Sequence, residues 1–272
     1  MTGRAGATPL PPIWLGLLLP LSLSAQHPEP ISDNSFLIEE AYNQEAGVVQ
    51  HISTFARPGA GDTWAYTLTQ EWPLSGLKRQ LSYTIPLLRE DGAGAGLGDI
   101  ALSFRYQLAG DGGDGLHVAP RATLLLPTGD ERRGRGAGGV GFQANLPVSA
   151  RPVPQLALHA NAGLTYTPST TNPAGMTSRT LNANLGGSTV WLLRPAFNVM
   201  LELLWLSTER VVGPGERIRE SQWLLNPGLR GGFDFASGLQ IVPGIAYTVD
   251  LGDGAGDDGL FLYLSLEHPF RR

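Results

Sequence analysis

The chain has 272 residues, a formal net charge of −5 and no cysteine. A disulfide framework, thiolate zinc sites, a cysteine nucleophile and a lipidated cysteine anchor are therefore excluded. With no basic excess to neutralise phosphates, a nucleic-acid partner is excluded too. Thirty-six glycines and 21 prolines beside 42% hydrophobic residues suit a β protein with many turns better than a helical one. Lys78 is the only lysine, a shortage at odds with the Lys/Glu-covered surface of most soluble domains.

In chain order, residues 1–25 read as a signal peptide. Arg4 supplies positive charge, Ile13 to Leu23 form a short apolar core, and cleavage is expected near Ala25. The core is about half as long as a membrane-spanning helix. Residues 26–46 form a separate N-terminal segment on the periplasmic side. Within it ISDNSFLIEEAYNQEA, residues 31–46, gathers Asp33, Glu39, Glu40 and Glu45 around Phe36, Leu37, Ile38 and Tyr42. Phe36, Leu37, Glu40 and Tyr42 sit near helical spacing, which predicts a short amphipathic helix. Phe36, Glu39, Glu40 and Tyr42 are its candidate plug residues, its acids facing lumen arginines such as Arg121 and Arg230. A solvated arm is the alternative.

From residue 47 to 270 the period becomes two. In residues 97–108, Ile100, Leu102, Phe104, Tyr106 and Leu108 alternate with Asp99, Ala101, Ser103, Arg105 and Gln107. Repeating the count predicts about twelve strands, most of about ten residues, the length of a membrane-spanning strand. They fall near 47–56, 63–73, 79–89, 98–109, 116–127, 139–150, 156–167, 180–193, 197–208, 220–234, 239–251 and 259–270.

Every second connection is short: SGLK, GDGGD, PVPQ, RPA and ASG. Most of the others are long or charged, as in REDGAGAG, PTGDERRGRGAG, STTNPAGMTSR and ERVVGPGERIR. Tight turns on one rim and long loops on the other fit an up-and-down antiparallel barrel of the outer-membrane kind. The polar face is Gly, Ser, Thr, Asn and Gln with scattered charges, which suits a wet lumen; the apolar face suits lipid. Aromatics sort into two girdles: Trp64, Tyr166, Trp205, Trp223 and Tyr247 near the external rim; Trp72, Tyr106, Trp191, Phe197 and Phe270 near the other. Hydrocarbon offers no partner to a free sheet edge, so the last strand is expected to pair with the first. By parity, Glu71, Asp99, Arg105, His117, Arg121, Glu202, Arg230, Asp250 and Glu267 are candidate lumen-facing charges. They either pin strands by ion pairs or set a selective field.

Other motifs fail on context. Gly134-x-Gly136-x-x-Gly139 and Gly254-x-Gly256-x-x-Gly259 have the dinucleotide lettering without a strand before or a helix after. Five histidines lack metal spacing. His51 and Ser53 lie two apart on one strand face, the spacing of a lipid-hydrolysing outer-membrane barrel, without a third residue to orient the histidine. The arginines Arg132, Arg133 and Arg135 offer a third reading, a structural barrel whose loops bind lipopolysaccharide phosphates or another partner.

Gly96-Leu-Gly-Asp-Ile100, Leu124-Leu-Leu-Pro-Thr-Gly-Asp130 and Asp33-Asn-Ser-Phe-Leu-Ile-Glu-Glu-Ala-Tyr-Asn-Gln-Glu45 resemble the outer-membrane transporters labelled "MetA-pathway of phenol degradation". The resemblance implies passage of small aromatic or hydrophobic compounds and supplies no catalytic residues. The final alternation Leu260, Leu262, Leu264, Leu266, Phe270 resembles the sorting signal read by the barrel-assembly machinery, with Arg271 and Arg272 as a departure. The expectation is an exported, monomeric outer-membrane channel in contact with membrane lipids, without cofactor, metal or enzymatic activity.

Overall fold

A computed structural model describes residues 34–59, 61–110, 115–252 and 258–270. The signal peptide, Ile31 to Asp33 and the Arg271-Arg272 tail lie outside these residues. Among the described residues there is one sheet, closed into an antiparallel barrel of twelve strands. In chain order these are β1 (Val48–Pro58), β2 (Trp64–Pro73), β3 (Arg79–Glu90), β4 (Gly94–Leu97 and Ile100–Tyr106), β5 (Leu116–Val118 and Arg121–Leu126), β6 (Gly141–Val153), β7 (Leu156–Thr171), β8 (Thr177–Arg194), β9 (Phe197–Gly213), β10 (Glu216–Gly231, continued by Phe233–Asp234), β11 (Gln240–Asp250) and β12 (Gly259–Pro269).

Two strands are interrupted for local reasons. Pro120, which has no N–H to give a ladder, divides β5; its carbonyl accepts from Tyr106 N at 3.0 Å. β4 breaks at Gly98-Asp99, where Gly98 N turns to Pro86 O at 2.9 Å. Each strand pairs with its sequence neighbour, and β1 pairs with β12 from Val48 against Pro269 to Pro58 against Gly259. Closure leaves no unpaired edge at the seam, as the hydrocarbon argument requires.

The polarity is inverted relative to a water-soluble barrel. Leu102, Leu146, Leu164, Leu185 and Ile245 are exposed on the outside, whereas Gln50, Gln80, Glu202, Asn226 and Arg230 are buried within. The two aromatic girdles stand where alternation places them: Trp205 pairs with Trp223 near one rim, and Trp72 packs 5.4 Å from Phe270 near the other.

Two expectations are corrected. No α-helix forms among the described residues; Asn34 to Ala46 is an irregular segment with bends. The long loops STTNPAGMTSR and ERVVGPGERIR are mostly strand. β7 and β8 are joined by only residues 172–176, and β9 and β10 by Pro214-Gly215. Cross-strand pairs carry these hairpins upward: Thr170 with Thr180 at 2.6 Å, and Glu209 with Arg217 and Arg219 at 3.0 and 2.8 Å. The connection at 127–140 is long. Asp99 carboxylate oxygens accept from Gly129 N at 2.9 Å and Ala137 N at 2.7 Å, which folds that loop down. Gly136 belongs there because a Cβ would stand 2.5 Å from Asp99 Oδ1. The glycine motif of this loop is thus turn chemistry.

Candidate channel lumen

The barrel interior has two halves. The half toward the tight turns is filled by residues 34–46, which cross from the β8–β10 wall to β1–β3. The chain can follow this ladderless path only if the wall satisfies its backbone, and one side chain takes three successive N–H groups. Glu202 on β9 is fully buried, and its Oε1 accepts from the backbone N–H of Phe36 at 3.0 Å, Leu37 at 2.8 Å and Ile38 at 2.9 Å. Its Oε2 accepts from Asn226 Nδ2 on β10 at 2.7 Å. In a helix the Ala41 and Gln44 N–H groups would return to the carbonyls of Leu37 and Glu40; here they go to Ser149 Oγ at 2.8 Å and Gln80 Oε1 at 2.7 Å, and Glu40 O is taken by Arg105. This is the physical reason the expected helix is absent.

Side chains then seat the segment. The Phe36 ring lies 5.4 Å from Phe261 and 5.1 Å from Tyr263, both buried on the inner face of β12. Room for it comes from Gly228 and Gly244, where a Cβ would stand 2.6 Å and 2.5 Å from the ring. Ile38 enters a similar gap at Gly186, where a Cβ would stand 2.3 Å from its Cδ1. Ser35 Oγ donates to Ser188 Oγ at 2.5 Å.

The acids of the segment meet charge. Glu39 Oε1 lies 3.1 Å from Arg121 Nη1 and 3.3 Å from Arg105 Nη1, and its Oε2 accepts from Asn145 Nδ2 at 2.7 Å. Arg105 is buried and also binds the segment's backbone. It donates to Asn43 Oδ1 at 2.8 Å, to Glu40 O at 3.2 Å and to Tyr42 O, and lies 3.6 Å from Glu71. Burial pushes the Glu40 carboxyl up to about 7; Arg105 opposes the rise, while Glu71 and Glu39 add to it. Tyr42 presents its ring edgewise to His117 at 4.9 Å and His159 at 6.0 Å. Gln44 N reaches Gln80 Oε1 at 2.7 Å, ending the crossing at β3.

The remaining predicted charges lie elsewhere. Glu267 accepts from Gln50 Nε2 at 2.6 Å, and Arg230 is buried beside Asn198. Asp250 binds Gln222 Nε2 at 3.2 Å near the loop end. Asp99 holds the 127–140 loop. Residues that parity left undistinguished also matter: Asn145, Ser149, Ser188 and Asn226. The mid-strand glycines at 186, 228 and 244 carried a readable signal, since glycine inside a strand marks close approach of another group.

The other half of the interior is an open cavity of about 600 Å³, floored by residues 34–40. Hydroxyls and amides make up much of its wall, among them Thr54, Thr67, Thr69, Thr84, Gln143 and Thr165, with Glu71, Arg105 and Arg121 as charged members and Ile52, Leu204 and Leu206 as apolar ones. Neighbouring hydroxyls pair around it, as Thr54 with Thr67 at 2.6 Å and Thr69 with Thr84 at 2.8 Å.

The other candidate sites take different forms. His51 Nδ1 accepts from Gln70 Nε2 at 2.6 Å and His51 Nε2 lies 3.1 Å from His268 Nε2, while Ser53 Oγ bonds Tyr66 Oη at 3.1 Å. Among the described residues no hydrogen bond joins His51 to Ser53, so the base does not face the nucleophile. Arg135 is buried, donating to Ala93 O and Gly94 O at 3.0 and 3.1 Å, and is spent on the loop. Only Arg132 and Arg133 of that cluster are exposed.

Residues 31–253 match the family model described as "Putative MetA-pathway of phenol degradation". The chain belongs to this family. The family region takes in the crossing segment and β1 to β11. No curated protein matches the chain. Among solved structures it is similar to the COG4313 outer membrane channel from Pseudomonas putida F1, at 13% identity, covering 88% of this chain and 98% of that one with a TM-score of 0.56. It is also similar to the NanC porin, at 10% identity, covering 82% of this chain and 100% of that one with a TM-score of 0.54. At such identity the likeness establishes the barrel fold.

Proposed function

We propose that this protein is an outer-membrane channel that lets small solutes pass passively, with its turn end and N-terminal segment in the periplasm. The observation that carries the reading is the inverted polarity: an apolar, girdled exterior around an interior lined by hydroxyls, amides and charges. A barrel of twelve strands stands between the side-chain-filled eight-stranded case and the open porins of sixteen or more, so a narrow conduit follows from its size. Aromatic compounds are the solute class to which the family description points, and the Pseudomonas relative is itself described as a channel. Export by the 1–25 signal peptide and insertion through β12 by the barrel-assembly machinery go with this reading.

The segment at 34–46 acts as the constriction. It occupies the turn-end half, and the Arg105–Glu39–Arg121 group lies at the floor of the open half. Planar-bilayer recording together with solute flux into proteoliposomes tests the channel. Discrete conductance steps and entry of small phenolic solutes are expected; neither conductance nor flux under any condition contradicts it.

A further inference from the structure

Above the aromatic girdle of the loop end, three arginines face outward on two of the extended strands. Arg179 on β8 lies between the inward, buried Ser178 and Thr180. On β10, Arg217 and Arg219 share the outward face with Trp223. Between the two strands, Glu209 of β9 accepts from Arg217 at 3.0 Å, from Arg219 at 2.8 Å and from the backbone of Leu181 at 2.8 Å. Arg219 Nη1 also donates to Ser207 Oγ at 2.8 Å. These contacts orient two guanidiniums on one carboxylate, and Arg179 adds a third positive charge to the same outer face. A lone surface charge pair needs no such arrangement, and an excess of oriented guanidinium is suited to phosphate.

Directly below, on β7 to β10, the outer wall carries an apolar groove of about 590 Å³. Leu158, Leu185, Leu201, Leu203, Trp223 and Leu225 line it. Its floor is Gly187, where a Cβ would meet only His159 O at 3.7 Å, so the groove exists because that outward position has no side chain. Trp223 lies four residues below Arg219, about 13 Å along an extended strand. Charge above and an acyl-shaped groove below thus lie on the same strands at the spacing of a lipid headgroup and its chain.

The geometry points to a binding site for a phosphorylated, acylated saccharide lipid of the outer leaflet. Its phosphate meets Arg179, Arg217 and Arg219, and one acyl chain fills the groove over Gly187. The site rests on the orientation given under the proposed function, with the loop end outward. It takes the place of the Arg132–Arg133–Arg135 cluster as the phosphate-binding surface.

Native mass spectrometry of the folded mature chain in detergent tests it, titrating a bisphosphorylated glycolipid, its dephosphorylated form and phosphatidylglycerol. The unaltered chain should bind the bisphosphorylated lipid in preference to both others. The triple variant Arg179→Ser, Arg217→Ser, Arg219→Ser should bind it about tenfold more weakly. Gly187→Leu, which fills the groove and leaves the arginines alone, should weaken it as well, while Arg132→Ser with Arg133→Ser should not. Altered migration on heating reports folding of each variant; if the triple variant fails to fold, Gly187→Leu and the dephosphorylated lipid carry the test. Equal binding of the dephosphorylated lipid or of phosphatidylglycerol overturns the site, as does undiminished binding by the folded variants. Lipid binding without conductance would remove the channel reading and leave this site standing; conductance without preference would do the reverse.

Discussion

The barrel wall and the segment it encloses are held by different means. Each wall strand is secured by a backbone ladder repeated along its length, so no single side chain is indispensable. Residues 34–46 have no ladder. They depend on a few wall side chains, chiefly Glu202, Arg105 and Arg121, and on gaps left by glycine at 186, 228 and 244. A part held this way can be released by single substitutions while its surroundings remain folded. That is what a constriction requires and a structural strand does not.

Removing residues 31–44 should have the largest effect. Conductance should rise several-fold while the heat-dependent shift in gel migration persists; loss of the shift would mean that the segment is part of the wall. Glu202→Ala comes next. It leaves three N–H groups without their acceptor and should weaken docking by about 3 kcal/mol. The measurement is cleavage at Glu39, Glu40 and Glu45 by a glutamate-specific protease, which should become rapid. Gly244→Val should have a smaller effect. Its side chain takes the space of the Phe36 ring and should loosen docking by about 1–3 kcal/mol, read by the same cleavage.

Acidity should have the smallest effect. The Glu40 carboxyl is raised from its ordinary 4.5 to about 7 by burial, so the docked segment holds a proton that the free one releases. This contribution to docking is complete below about 4.5 and is lost as pH rises through about 7. Conductance should therefore increase modestly across that window, and the increase should vanish in Glu40→Gln. A pH response unchanged in that variant would place the titrating group elsewhere.

The wall was largely legible in the sequence because a period of two is a local property. Val140, Phe142 and Leu146 against Gln143, Asn145 and Ser149 declare both faces without reference to any other strand. Where β7 to β10 run past the membrane, the outward residues change from Leu to Thr, Arg and Glu. Alternation of polarity then ends although the ladder continues, and those hairpins read as loops. The segment was less legible for a related reason. Phe36, Leu37 and Tyr42 have spacings that suit a helix, but short helices are marginal alone and tertiary partners decide. Ser149, Gln80 and Arg105, distant in sequence, take the N–H and C=O groups that would close its turns. Likewise Glu39 could be read as seeking an arginine, and Arg121 was a named candidate. That Arg105 binds both the side chains and the backbone of the segment required the barrel to bring β4 against residues 39–43.

The most direct test of the segment as constriction uses the absence of native cysteine. Ser35 and Ser188 have their side-chain oxygens 2.5 Å apart, so Ser35→Cys with Ser188→Cys should form one disulfide joining segment to wall. Single-channel recording of this double variant before and after reduction is the measurement. Oxidised channels should hold a steady low conductance, and reduction should restore the openings of the unaltered chain. Failure of the disulfide to form in folded barrels, or the same conductance in both states, would contradict the account.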